Sequence, residues 1–183
     1  DLVFGGGPAD HGRRMTVTLR PATQGDIPFL MQAERGPGYD RLVGQSGAEA
    51  HAAFIADPAN AVLVAAREGA DGGFVILSGL QDRHNGVCLK RVVSATTDGG
   101  FGTAMVRAAL DWIFSETAAP RAWLDTLRHN ARAAHVYRKI GFVEEGVFRE
   151  AYQMPDGTRA DRIVFSILRR EWLSAPPAAA DNP

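Results

Sequence analysis

The stretch LRHNARAAHVYRKIGF, residues 127–142, reads as one helix with its own start and stop signals. Ala133, Val136, Tyr137 and Ile140 recur at the three- and four-residue spacing that lays apolar side chains along one helical face. Asn130 stands where an N-cap is wanted, its short side-chain carbonyl suited to an unpaired amide of the first turn. Gly141 stands where a left-handed terminator is wanted. The same segment carries Arg128, Arg132, Arg138 and Lys139 and no acid. A strip of that kind suits a ligand with several phosphates. A solvated face, with Arg138 and Lys139 complementing the helix C-terminus, accounts for it equally well.

Upstream, Arg121–Leu127 is a strand, and before it comes a second helix introduced by glycines. In SATTDGGFGTAMVRAAL (94–110), three glycines precede an apolar run. There Met105, Ala108, Ala109 and Trp112 fall at i, i+3, i+4 and i+7. Small residues let a backbone approach an anion, and the first turn of a helix has free N–H groups to offer it. Gly100, Phe101, Gly102, Thr103 and Ala104 would be the donors. Glycine is also the ordinary steric solution to a tight turn, with no ligand implied. Two phosphate loops are excluded. No lysine follows the glycines, as a P-loop requires. The third glycine of a dinucleotide fingerprint is missing, and the loop follows a fourth strand rather than a first.

The rest of the chain fills in around these helices. Thr16–Arg20 alternates as an opening strand, and Thr23-Gln24-Gly25-Asp26 resembles a capping box ahead of a helix at Ile27–Glu34. A long loop, 35–47, precedes a second helix at Ser46–Ala56. Three strands follow at Ala61–Arg67, Phe74–Leu80 and Val87–Ser94, with EGADGG and DRHNG as their turns. Phe142–Tyr152 and Asp161–Leu168 close the chain as strands. The order β-α-α-β-β-β-α-β-α-β-β predicts an α/β fold. Its mixed, mostly antiparallel sheet has about seven strands, with helices on both faces.

Composition sets the outer limits. With 45% apolar and 22% charged residues the chain is ordinary globular material, and residues 15–173 suffice for a single domain. The glycine-rich 1–14 are expected to be a flexible leader and the Pro/Ala-rich 174–183 a flexible tail. A formal net charge of −1 gives no global attraction to nucleic acid or membrane. The lone Cys88 fits a reducing cytoplasm. His129 and His135 lie six apart, and His11, His51 and His84 show no ligand spacing, so no metal site is expected. Ser94 and Cys88 have no neighbouring base pattern to make them nucleophiles.

Taken together, 94–110 and 127–142 resemble the cofactor site of the GNAT superfamily of acyl-CoA-dependent N-acyltransferases. The family's Arg/Gln-x-x-Gly-x-Gly/Ala motif falls on Gly99-Gly100-Phe101-Gly102-Thr103-Ala104, with Gly99 where an Arg or Gln is usual. Its Asn-x-Arg-Ala-x-x-x-Tyr-x-Lys-x-Gly-Phe signature is met without a gap by Asn130, Arg132, Ala133, Tyr137, Lys139, Gly141 and Phe142. EEGVFRE (144–150) and ILRREW (167–172) resemble the branch that contains the ribosomal-protein N-terminal acetyltransferases.

The resemblance implies an N-acetyltransferase in which an amine attacks acetyl-CoA directly, in a ternary complex and with no acyl-enzyme. Tyr137 would be the general acid near the sulfur, and Asn130 would contact the pantetheine or order water there. Backbone of Val92, Val93 and Ser94 would pair with the pantetheine. Gly99, Gly100, Phe101, Gly102, Thr103, Ala104, Asn130, Ala133, Tyr137 and Lys139 would complete the cofactor site.

For the acceptor, a small-molecule or peptide amine, the candidates are Glu34, Tyr39, Arg41, Asp82 and His84. Residues 86–95 contain no carboxylate, so the base is sought among Glu34, Asp82 and Asp125. At pH 7 about one α-amine in seven is neutral, against about one lysine side chain in 2,500. A site poor in bases therefore leans toward an α-amine such as a peptide N-terminus. The alternatives are a non-catalytic acyl-CoA-binding domain of the same fold and an enzyme of the same class acting on an antibiotic or polyamine, which the single acid of 35–47, Asp40, disfavours slightly; a homodimer stays open.

Overall fold

The protein is described by a computed structural model over residues 16–37, 39, 44–84, 86–96 and 100–174. Gly99 and Arg41, both expected at the site, lie outside the described residues. The elements run β1 (Thr18–Pro21), a 3-10 turn (Gln24–Asp26), α1 (Ile27–Ala33), α2 (Ala48–Ala56), β2 (Asn60–Arg67), β3 (Ala70–Ser78) and β4 (Val87–Ser94). Then come α3 (Phe101–Glu116), β5 (Arg121–Leu127), α4 (Ala131–Ile140), β6 (Val143–Gln153), β7 (Arg159–Leu168) and α5 (Arg169–Ser174). One seven-stranded sheet has the order β1-β2-β3-β4-β5-β7-β6. Every neighbouring pair is antiparallel except β4 and β5. The mixed sheet expected from the sequence is present.

Local signals act as their chemistry demands. Asp26 accepts from the Thr23 amide at 2.7 Å and hydroxyl at 2.9 Å, so the capping box forms with an aspartate in the glutamate position. Arg20 meets the same carboxylate through both terminal nitrogens and, with Thr23, holds the Asp26 carboxyl well below its usual range. Gly141, at φ 114°, ends α4 and lets its own amide and that of Phe142 return to the Tyr137 carbonyl.

Two sequence expectations fail for readable reasons. EGADGG is not all turn. Glu68 and Gly69, at φ 51° and 82°, make a two-residue hairpin, and Ala70–Gly73 already belong to β3. Those glycines are in a strand because neighbours press on them. A Cβ on Gly72 would stand 2.8 Å from the Phe101 ring, and one on Gly73 would stand 2.4 Å from the Val93 carbonyl. The second miss is α5, too short to show a period. It starts where Arg169 turns back to cap α3, donating to the carbonyls of Phe114, Thr117 and Ala119 at 2.6–2.9 Å.

Helices cover both faces. α1 and α2 bury Leu30, Ala33 and Phe54 against Val62, Val64, Phe74, Ile76 and Val93 on one face. On the other, α3 and α4 pack Met105, Leu110, Ile113, Tyr137 and Ile140 against Leu77, Val87, Leu124, Phe165 and Ile167. The interface between these halves is thin. β4 and β5 run parallel but stay in register only at Val87↔Ala122 and Cys88↔Trp123. Beyond that point β4 carries an extra residue, Lys90, because Leu77 pairs with Leu89 while Ile76 pairs with Arg91. A bulge bends its strand, and here it marks where β4 parts from β5. The sheet is split in a V, closed at the start of β4 and open at its end.

Gly86 stands at the closed end. Its φ is +74°, and a Cβ there would lie 2.2 Å from the Arg121 carbonyl. Gly86→Ala is therefore expected to cost ~3 kcal/mol or more, from a strained backbone and a clash that no side chain can relieve. Chemical denaturation measures it; a loss under ~1 kcal/mol would mean that β5 does not need this close approach.

Candidate active site

The V opens into a cleft of about 610 Å³ that passes through the sheet. From one side Phe101, Met105 and Val106 of α3 and Ala133, Val136 and Tyr137 of α4 line it. From the other come Tyr39, Lys90, Arg91, Asp125, Tyr152 and Arg162. Because β4 and β5 are parallel and each feeds a helix, α3 and α4 both begin at this cleft. Helix N-termini present unpaired amides and a partial positive charge, so two of them at one opening make it an anion site.

The two N-termini are built differently. α4 is closed by its own cap, with the Asn130 Oδ1 accepting from the Ala133 amide at 3.2 Å. α3 starts from Gly100 in a left-handed conformation, φ 82°, with no side-chain cap. Among the described residues, the first amide of α3 to find a partner is that of Ala104, which donates to Gly100 at 3.0 Å. Ala104 is thereby removed from the expected donors, while the first-turn amides of Phe101, Gly102 and Thr103 have no partner among the described residues. Thr103 and Gly102 line the opening; Ala104 and Lys139 do not, Lys139 lying exposed in the last turn of α4.

Past the bulge, the edge of β4 that faces β5 has no strand partner. Ser94 directs its amide and carbonyl to the Tyr39 hydroxyl, accepting at 2.6 Å and donating at 3.1 Å. Ala95 donates to Gly72 beside β3. Alternation along the strand then turns the Val93 backbone to β3 and the Val92 backbone to the cleft. Of the three backbones expected at the pantetheine, Val92 and Ser94 line the cleft, while Val93 faces away with its side chain in the core. Unpaired amide edge and uncapped helix start are adjacent. They fit an extended, amide-bearing arm that ends in a pyrophosphate, which is the form of coenzyme A.

Tyr137 lies with its ring against Phe142 and Phe165, centroids 5.8 and 5.9 Å away. Burial, with smaller contributions from Asp125 and Tyr39, pushes its phenol above the usual value. A raised phenol holds its proton through the physiological range, so it can act as an acid and not as a base.

Across the sheet, Ala122 and Leu124 point into the core, so alternation sends Asp125 to the opposite face. Asp125 is the one carboxylate lining the cleft among the described residues, and it pairs with Arg162 of β7. Burial raises its pKa, and Arg162, then Lys90, oppose that.

Glu34 is not at the cleft wall but behind it. Its buried carboxylate accepts from the Ser46 amide at 2.6 Å and from Arg91 at 2.8 Å, with Arg35 and His51 at 3.3 and 3.2 Å. It acts as an anchor that aims Arg91. Asp82 and His84 sit together in the β3–β4 turn, at the start of β4, whereas the cleft opens at its end. Sequence reasoning missed Lys90, Arg91, Tyr152 and Arg162. The bulge that aims the first pair and the β5–β7 register that delivers Arg162 are long-range features with no local signal.

Among the described residues no group of His, Cys, Asp and Glu could hold a metal ion, and no helix is long and apolar enough to cross a membrane. Comparison with known proteins agrees with the geometry. A spermidine N(1)-acetyltransferase of Escherichia coli (strain K12) is 23% identical over 167 residues, covering 87% of this chain and 89% of that protein. The crystal structure of spermidine N-acetyltransferase from Vibrio cholerae in complex with CoA and spermine has a TM-score of 0.75 at 23% identity, covering 87% of this chain and 99% of that one. At that identity the likeness carries the fold. The family profile described as "Acetyltransferase (GNAT) domain" matches residues 16–143, the greater part of the sequence and the whole of the V. The chain belongs to the GNAT family of acetyltransferases, enzymes that carry an acetyl group from acetyl-CoA to a primary amine.

Proposed function

We propose that the protein acetylates a primary amine directly from acetyl-CoA, with both bound at once and no acyl-enzyme. The observation that supports this most is the through-sheet cleft. It has amide donors and an unpaired edge of β4 on one side and a carboxylate on the other. Among the described residues no cysteine lines it: Cys88 is absent from its wall, and burial and Asp125 push that thiol up to about 11.

Acetyl-CoA supplies a thioester carbonyl. The amides of Phe101, Gly102 and Thr103 would hold its pyrophosphate, with Arg132 alongside, and the Val92 backbone would pair with its pantetheine. Asn130 has its Oδ1 engaged as a cap, so its Nδ2 is what it offers. Asp125 takes the proton that the amine must lose as the C–N bond forms. As the C–S bond breaks, Tyr137 donates to the departing sulfur and recovers its proton from solvent. Amine and thiol are thus served from opposite faces of the sheet. A peptide N-terminus is the finer reading of the acceptor, supported by the resemblance at 144–150 and by the neutral fraction of an α-amine near pH 7. The relatives' printed activity is on spermidine.

Acetyl-CoA is expected to raise the Tm and to release thiol in the presence of an amine panel; no stabilisation at millimolar acetyl-CoA removes the cofactor assignment. Tyr137→Phe keeps the packed ring and loses the donor. Its kcat is expected to fall ~100-fold, with acetyl-CoA affinity changed less than about threefold, and unchanged turnover would end the acid role. Arg162→Met tests the base by sign. The working form of Asp125 is the carboxylate, present above its pKa. Removing Arg162 raises that pKa further, so the acid limb of kcat/KM should move up by about one pH unit or more. A limb that stays put, or moves down, assigns the base elsewhere.

A further inference from the structure

We propose that the acceptor amine carries its own carboxylate or similar oxyanion, which Lys90 and Arg91 receive at the acceptor side of the cleft. This rests on the acetyltransferase reading above and narrows its substrate. Among the described residues, that side presents Lys90, Arg91 and Arg162 against a single carboxylate, Asp125. Asp125 is already paired with Arg162. Glu34, the next acid inward, is fully buried and committed to Arg91, Ser46 and His51. No described carboxylate remains for a second ammonium group. A polyamine, which carries two or more positive charges besides the reacting amine, would meet cations instead.

The bulge makes the arrangement deliberate in geometry. In a regular strand Lys90 and Arg91 would point to opposite faces. Here both are on the α1–α2 face: Lys90 has its ammonium 5.8 Å from the Phe54 ring centroid, and Arg91 reaches Glu34. Arg91 sends Nη1 to both Glu34 and the Ser46 hydroxyl, at 2.8 and 2.9 Å, which fixes the plane of its guanidinium. A guanidinium held from behind by one carboxylate has its other edge oriented for a second. Lys90 adds a mobile positive charge beside it. Both lie on the same wall as Asp125, so an amine at Asp125 has its neighbouring oxyanion within the reach of these cations.

Selectivity ratios test this directly. The acceptors are tripeptides with N-terminal Glu or Asp, the same peptides with Gln or Asn, free glutamate and glutamine, and spermidine. Each acidic acceptor should exceed its amide counterpart at least tenfold in kcat/KM, with spermidine below both. Free glutamate over the acidic peptides would add a contact from the α-carboxylate to that of the side chain; peptide over free amino acid would confine recognition to the side chain. Lys90→Gln should bring the acid-to-amide ratio to within about twofold of one, Lys90→Arg should retain it, and Lys90→Glu should invert it. Spermidine as best acceptor, or a ratio indifferent to Lys90, overturns the proposal. Acetyl-CoA binding, followed by calorimetry on the same samples, separates the two layers. Acetyl-CoA bound and amines turned over without acid preference sinks the acceptor class alone, whereas no binding sinks the acetyltransferase reading with it.

Discussion

The short register between β4 and β5 is the constraint on which the site depends. Two parallel strands that each feed a helix would ordinarily close their ladder along their whole length and bury both edges. Here the pairing stops after Val87↔Ala122 and Cys88↔Trp123. An unpaired strand edge inside a protein is costly, since its amides and carbonyls have left water without finding partners. The fold meets that cost partly with Tyr39, whose hydroxyl serves both backbone groups of Ser94. It leaves the Val92 edge for whatever enters the cleft. The same split delivers the start of α3 and the start of α4 to one opening, so the anion site and the amide edge are one consequence and not two coincidences.

The acceptor wall depends on a second device, one that stores charge inside the protein. Glu34 is fully buried, and Arg91, the Ser46 amide and His51 surround its carboxyl oxygens. Such a cluster is a poor way to gain stability, because desolvating its charges offsets most of their attraction. Its value is geometric. It ties the end of α1, the segment before α2 and the bulged strand β4 to a common point, and it holds a guanidinium at the edge of the cleft. The bulge at Lys90 is what lets Arg91 face that anchor at all.

Much of this was legible in the sequence, and what was not has one kind of cause. Elements with a period were readable: α4 from Ala133, Val136, Tyr137 and Ile140, its ends from Asn130 and Gly141, and β4 and β5 at the bounds observed. The glycine turn and the basic segment are local and were readable too. On the cofactor side the structure differs from the expectation in matters of phase, the helical bond of Ala104 and the outward turn of Val93. The acceptor side was hardly legible. Glu34, a base candidate, is buried behind the cleft wall and engaged by Arg91; Asp82 and His84 sit in the turn at the start of β4, away from the open end of the cleft. Lys90, Arg91 and Arg162 gave no signal because a bulge and a strand register place them, and both are set by partners far away in sequence. Gly72 and Gly73 failed similarly: glycine in a strand for close approach looks, locally, like glycine in a turn.

The division of the cleft by the sheet bears on how acid and base can share one site. In the proposed mechanism Asp125 must be ionised to take a proton, and Tyr137 must stay neutral to give one, although Asp125 itself perturbs the phenol. Burial acts on both groups in the same direction, disfavouring charge. It suits the phenol as it stands and works against the carboxylate. Arg162 restores the balance for Asp125 alone, because it comes from β7 on the face where Asp125 points, while Tyr137 belongs to α4 on the other. Each group therefore meets its own electrostatic surroundings within a few residues of sheet. A cleft confined to one face would have put both groups beside the same cation, which would favour ionisation of the phenol as much as of the carboxylate. Passing the reaction through the sheet keeps the two protonation states apart.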